Sequence, residues 1–149
     1  MPTAPQQIQP TSLDDYLEVM SKAVFQSGMS WKVVEAKWST TREAFYDFDV
    51  RRVANFDERD LERLEQDTRV IRNSRKLAAI VSNAGRMIEL EDEHSSFQSY
   101  LRSQDDFGDT LQMIKKDFKF MGPTGIYFFL YVVGEQVPTH EEFETTRKK

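Results

Sequence analysis

The chain has 149 residues, of which 39% are apolar and 30% are charged, and its formal net charge is −5 at pH 7. This balance is typical of one soluble globular domain and excludes a disordered chain. Cysteine is absent, so disulfides, thiolate metal sites and cysteine nucleophiles are excluded. An acidic net charge argues against broad electrostatic binding to nucleic acid, and any such contact would need a local basic patch.

The N-terminal residues MPTAPQQIQP contain no basic residue and no hydrophobic signal core. The longest apolar run, residues 126–133, is too short to cross a bilayer. We therefore expect a flexible arm over residues 1–10, no contact with a membrane and a cytoplasmic location.

Helix signals follow one another through the first half of the chain. N-caps are predicted where Ser, Thr or Asp precedes apolar residues at helical spacing. The predicted N-caps are Ser12, Ser30, Thr41, Asp49 and Asp57. Gly28 suits the position just after the end of the first helix. These signals predict a series of helices up to a break at residues 68–73.

The second half is also predicted to be helical. Helices are expected over about residues 74–91, after Ser95 or Ser96, over residues 109–118 and over residues 126–133. The composition of the last of these also suits a buried strand, but no partner strand is evident, so we expect a buried helix. The fold class is therefore all-α, with a single domain over residues 11–137 and a polar, frayed tail over residues 138–149.

A basic cluster marks the turn before the long helix. Arg69, Arg72, Arg75 and Lys76 crowd this turn. The free N–H groups and the positive dipole end of the helix lie beside these cations, which predicts an anion site or, on duplex DNA, a phosphate site. An ordinary solvated helix corner with basic residues is the alternative interpretation.

Three separate blocks resemble the DNA-3-methyladenine glycosylase I family of the helix-hairpin-helix DNA glycosylases. The blocks are residues 28–31 (GMSW), residues 67–84, and residues 118–124 (FKFMGPT) followed by Tyr127. The resemblance covers roughly residues 12–138. It implies a helix-hairpin-helix glycosylase-like helical bundle with its hairpin at about residues 57–91. It also implies that a methylated adenine is flipped out of duplex DNA and its N-glycosidic bond hydrolysed, as in base-excision repair.

The resemblance also implies a role for each block. Gly28 and Met29 match the wedge that fills the gap left by a flipped base, and Trp31 matches a pocket residue that stacks on the base. The whole implied base pocket is Trp31, Ser30, Phe120 and Tyr127. The implied phosphate contacts are Arg72, Asn73, Ser74, Arg75 and Lys76. The expected partner is double-stranded DNA, damaged duplex above all, bound by a monomer. The alternative is that Met29 and Trp31 are core residues of an ordinary corner.

The chain departs from the family at several positions. Ala23 stands where the family carries a Glu that hydrogen-bonds the base, so the catalytic residue is unassigned. Glu18, Glu35 and Asp47 are substitutes by proximity in sequence only. His140 lies near the family's zinc-binding His but has no Cys partner, so we expect no metal and no cofactor. An inactive DNA-binding module and a helical interaction scaffold therefore remain alternatives to an enzyme.

Overall fold

The computed structural model describes residues 5–147, with side chains up to residue 145. This part of the chain folds as nine α-helices with no strand. The helices are α1 (Leu13–Gln26), α2 (Trp31–Ala44), α3 (Val50–Ala54), α4 (Glu58–Glu65), α5 (Ser74–His94), α6 (Phe97–Leu101), α7 (Phe107–Asp117), α8 (Pro123–Val132) and α9 (His140–Arg147). The all-α prediction is confirmed, including the helix rather than strand at α8.

Most of the predicted caps begin helices, because capping is a local effect of sequence. The side chains of Asp49, Asp57 and Ser96 each accept a hydrogen bond from the backbone N–H three residues further on. Ser12 and Ser30 also occupy N-cap positions, but their side chains make no capping hydrogen bond. These helix starts are therefore predictable from the sequence, but Ser12 and Ser30 do not form the capping hydrogen bonds that the prediction implies.

The predicted helix start at Thr41 is wrong. The α2 helix runs through this position, and the Thr41 hydroxyl donates to the carbonyl of Lys37, 2.7 Å away and one turn back. A threonine can satisfy its hydroxyl inside a helix in this way. The chain turns only after Ala44, where residues 46–48 all take positive φ values of 54° to 56°.

The α1 helix lies at the centre of the molecule and packs against α2, α5 and α8. Its most buried side chains form one continuous core with those of the surrounding helices. The fully buried members of this core include Leu17, Met20, Val24, Leu77, Ile80, Met87, Ile114 and Ile126. The opposite edge of α1 is left to line a cavity.

Both chain ends pack more closely than the sequence suggested. In the predicted arm, the backbone N–H of Ile8 donates to the carbonyl of Val132 at 2.8 Å; residues 1–4 lie outside the described part. In the predicted frayed tail, the α9 helix forms and Phe143 is only 3% exposed. Its ring stacks on Tyr127 with 4.4 Å between the ring centroids. Residues just outside the predicted domain limits therefore contribute to the packed body. No described helix is long and apolar enough to span a membrane.

Candidate functional site

A cavity of about 420 Å³ lies between α1 and α2 and is bounded by α8 and by N-terminal residues 5–8. Its volume is in the range of small-molecule sites in proteins. The α1 helix lines it with one face, and the α2 helix contributes Trp31, Glu35 and Trp38, which recur at helical spacing. Ala23, which stands where the resemblance implies a Glu, is in the α1 wall.

Aromatic rings form much of the cavity wall. Trp31 is 38% exposed and meets the ring of Phe128 edge to face, with 5.3 Å between the centroids. Trp38 is buried and stacks on Phe48 at 5.4 Å. Both tryptophans of the chain thus line one cavity. Trp31, the more exposed of the two rings, offers a flat surface on which a planar base can stack.

Charged side chains supply the polar part of the wall. An oxygen of Glu18, Oε2, accepts a hydrogen bond from the Trp38 indole N–H at 2.9 Å and lies 3.3 Å from Nε of Arg42. Lys22 forms an ion pair with Glu35, and its Nζ lies 5.7 Å from the centroid of a Trp38 ring. Two of the three carboxylates that sequence proximity suggested therefore line the cavity.

Asp47, the third suggested carboxylate, lies away from the cavity, and Ala23 contributes only a methyl group to its wall. Asp47 is exposed beyond the far end of α2, 3.9 Å from Arg42, and is not part of the cavity wall. Ala23 faces α8 closely, because a Cβ placed on Gly125 would lie 3.8 Å from the Ala23 Cβ. Hence Ala23 itself brings no acceptor to the cavity.

The chain projects at the corner between α1 and α2, formed by residues 27–30. Gly28 has a φ of 70°, a conformation that favours glycine, and a Cβ placed on it would meet nothing within 4 Å. Met29 is half-buried, and its N–H donates to the carbonyl of Gln26. Ser30 is exposed and does not line the cavity. The corner thus presents an open backbone and a flexible apolar side chain beside Trp31.

The other two predicted pocket residues lie elsewhere. Phe120 is 42% exposed with a φ of 58°, and it does not line the cavity. Tyr127 is buried on the other side of α8, where its hydroxyl donates to the carbonyl of Pro138 at 2.8 Å. Burial raises the pKa of this tyrosine. Of the four predicted pocket residues, only Trp31 lines the cavity.

The predicted hairpin is present as α4, the turn over residues 66–73, and α5. Asn73 caps α5 by accepting from the N–H of Lys76 at 3.1 Å. Arg72, Ser74 and Arg75 are exposed at this end of the helix. Arg69 is held by the carboxylate of Asp67, with its Nη2 at 2.8 Å, and this contact lowers the pKa of Asp67. The hairpin therefore presents two exposed arginines at the N-terminus of a long helix.

Lys76 is not placed as the exposed phosphate contact that the sequence predicts. It is only 4% exposed, and its Nζ donates to the carbonyls of Phe25 at 3.0 Å and Ser27 at 2.5 Å. Burial lowers its pKa. Its ammonium group points into the protein because the end of α1 needs partners for its carbonyls.

Sequence reasoning missed Trp38, Phe128 and Lys22 as wall residues. The spacing of Trp31, Glu35 and Trp38 on α2 was a usable signal, but nothing in the sequence indicated that this face meets α8. No group of three His, Asp or Glu side chains within the described residues is arranged to hold a metal ion.

Solved structures with the same architecture define the class of protein. The 3-methyladenine DNA glycosylase I of Staphylococcus aureus superposes with a TM-score of 0.75 at 25% identity, covering 87% of this chain and 80% of that one. A second 3-methyladenine DNA glycosylase I crystal structure gives a TM-score of 0.71 at 28% identity, covering 85% of this chain and 81% of that one. The fold is that of an all-α DNA glycosylase.

Sequence comparison narrows the class to a family. The family model for methyladenine glycosylases matches residues 10–112. DNA-3-methyladenine glycosylase 1 of Escherichia coli K12 is 32% identical over 130 residues, covering 73% of this chain and 70% of that protein. The Haemophilus influenzae DNA-3-methyladenine glycosylase is 35% identical over 78 residues, which cover 52% of this chain and 42% of that protein. The chain belongs to the methyladenine glycosylase family.

Proposed function

We propose that this protein is a DNA glycosylase that removes alkylated purines, 3-methyladenine among them, from duplex DNA. The observation that carries the proposal is the cavity beside the corner, because it combines both tryptophans with two carboxylates. A flipped base needs such a pocket next to a side chain that fills the vacated stack. The named relatives support the same reaction class.

The hairpin binds the phosphates of the DNA duplex. Arg72 and Arg75 are exposed cations at the start of α5, and the free N–H groups of this helix end lie beside them. Such contacts set the register of a protein on DNA without reading sequence. Met29 then enters the stack from the corner, since its unbranched side chain adapts to an irregular gap. One copy of the chain carries all of these parts, and the active form is a monomer in the cytoplasm.

The pocket favours a base that carries positive charge. An N3-alkylated adenine is cationic while attached to DNA, and the exposed ring of Trp31 attracts cations. Glu18 is held by the Trp38 indole and Arg42, and it provides the carboxylate that Ala23 lacks. In the reaction, the oxygen of water bonds to the sugar C1′ and the glycosidic bond breaks. Its electron pair stays with the base, and the proton of water passes to solvent.

Base release from methylated duplex DNA tests the proposal. Protein in excess over DNA is incubated with the duplex, and the freed bases are identified by mass spectrometry. We expect release of 3-methyladenine by the natural protein and none by Trp31→Ala, which should still bind an undamaged duplex. No release by a protein that binds an abasic duplex would instead assign a recognition module. No DNA binding at all would leave the helical scaffold.

A further inference from the structure

Lys76 is a charged residue that is buried, at 4% exposure. Lysine is rarely buried to this extent without a carboxylate partner. Here its partners are two backbone carbonyls, of Phe25 and Ser27. Burial without an opposite charge lowers the pKa of Lys76, because removing its ammonium group from water costs free energy.

The two carbonyls belong to the last turn of α1 and the residue that follows it. The last turn of α1 contains no basic residue of its own, although the end of a helix carries partial negative charge. Lys76 supplies that cation from α5. Gly28 and Met29 follow at once, so the lysine holds the chain where the corner leaves the helix.

The same lysine is the third residue of α5, the helix whose start carries Arg72 and Arg75 beside it. A second connection involves the turn of the hairpin. Nζ of Lys37, on α2, donates to the carbonyl of Thr68 at 2.5 Å, and the Thr40 hydroxyl donates to the carbonyl of Arg69 at 2.7 Å. Both helices that flank the corner are thus fixed to the hairpin.

We propose that Lys76 is a positioning residue for base flipping. It fixes the corner relative to the hairpin, so that docking of the hairpin on the phosphates places Met29 at the base stack. Lys76 itself contacts no phosphate. The inference rests on the proposed function for its use on DNA, but the connection between hairpin and corner is a property of the free protein.

Salt dependence separates a positioning lysine from a phosphate contact. We compare Lys76→Met with Arg75→Met by measuring affinity for an intact duplex and for a duplex with a tetrahydrofuran abasic site over a range of salt concentrations. Arg75→Met should weaken both complexes alike and reduce the slope of log K against log salt by about 0.9. Lys76→Met should keep the slope and lose at least about fivefold of the preference for the abasic duplex, a typical coupling between two sites.

A measurement on the free protein keeps the test independent of DNA binding. Backbone hydrogen exchange over residues 26–30 should accelerate in Lys76→Met and stay unchanged in Arg75→Met. Lys76→Gln, which keeps a shorter donor, should lie between the natural protein and Lys76→Met in both exchange and preference. Lys76→Gln also replaces Lys76→Met in both measurements if Lys76→Met does not fold.

Two results would overturn the inference. A slope reduced in Lys76→Met as in Arg75→Met would make Lys76 a phosphate contact. Unchanged exchange at the corner in a folded variant would show that Lys76 does not hold it. If the natural protein binds no DNA but the exchange responds as expected, the proposed function fails and the connection between hairpin and corner stands.

Discussion

Restoring a carboxylate at position 23 should increase base release. Ala23 lies in the wall of the cavity and is 8% exposed. Gly125 faces it without a side chain. Because Ala23 lines the cavity, we expect the longer side chain of Ala23→Glu to extend into it. A hydrogen bond to a charged group contributes about 1.5–3 kcal/mol. If it forms in the transition state, the rate should rise between about tenfold and about a hundredfold.

The assay is the single-turnover rate of 3-methyladenine release, and Ala23→Gln is the matched control. Glutamine has nearly the same size but no charge, so it should give much less than the effect of glutamate. The thermal midpoint of each variant checks that the added side chain leaves the fold intact. If Ala23→Glu folds, binds abasic duplex normally and releases base no faster than Ala23→Gln, the cavity does not hold the flipped base.

Three further predictions concern the stability of the fold away from the cavity. Phe143→Ala should lower the free energy of unfolding by about 3–5 kcal/mol in urea titrations, because the ring is buried against Tyr127; an effect below 1 kcal/mol, roughly that of a surface change, would contradict its place in the core. Asn83→Ala should destabilise by about 1–3 kcal/mol, since the Asn83 amide both donates to and accepts from the backbone of Lys119, at 3.1 Å and 2.9 Å; an unchanged midpoint would refute this. The hydrogen bonds from Arg69 lower the pKa of Asp67 below its ordinary value of 3.8. The stabilisation that the ionised carboxylate gives to the fold is therefore fully present above pH 3.8, and it is lost as the pH falls through the lower, folded-state pKa. The urea midpoint of Asp67→Asn should then fall less than that of the natural protein below pH 3.8, and parallel curves would be the contrary result.

The parts of the fold that the sequence predicts are those decided locally. Asp57 and Ser96 cap helices because a side-chain oxygen meets a backbone N–H only three residues away. The helix at α8 follows from its uniformly apolar composition and from the lack of a partner strand. The predicted helix start at Thr41 was wrong because a threonine suits both an N-cap and the interior of a helix, and only tertiary packing decides between the two positions.

The site is less predictable because it depends on which helix faces meet. Trp31 was found through the resemblance, whereas Trp38 and Phe128 join it only when α2 and α8 pack together. Lys76 stands among exposed cations in the sequence, and its burial follows from the distant end of α1. Contacts between residues so far apart in the chain leave no local pattern to detect.

A binding titration tests most directly whether the cavity receives an alkylated purine. Both tryptophans line the cavity, so tryptophan fluorescence reports occupation at once. We expect saturable quenching by free 3-methyladenine and survival of a smaller signal from Trp38 in Trp31→Phe. No quenching by 3-methyladenine up to its solubility would contradict the assignment of the cavity as the base pocket.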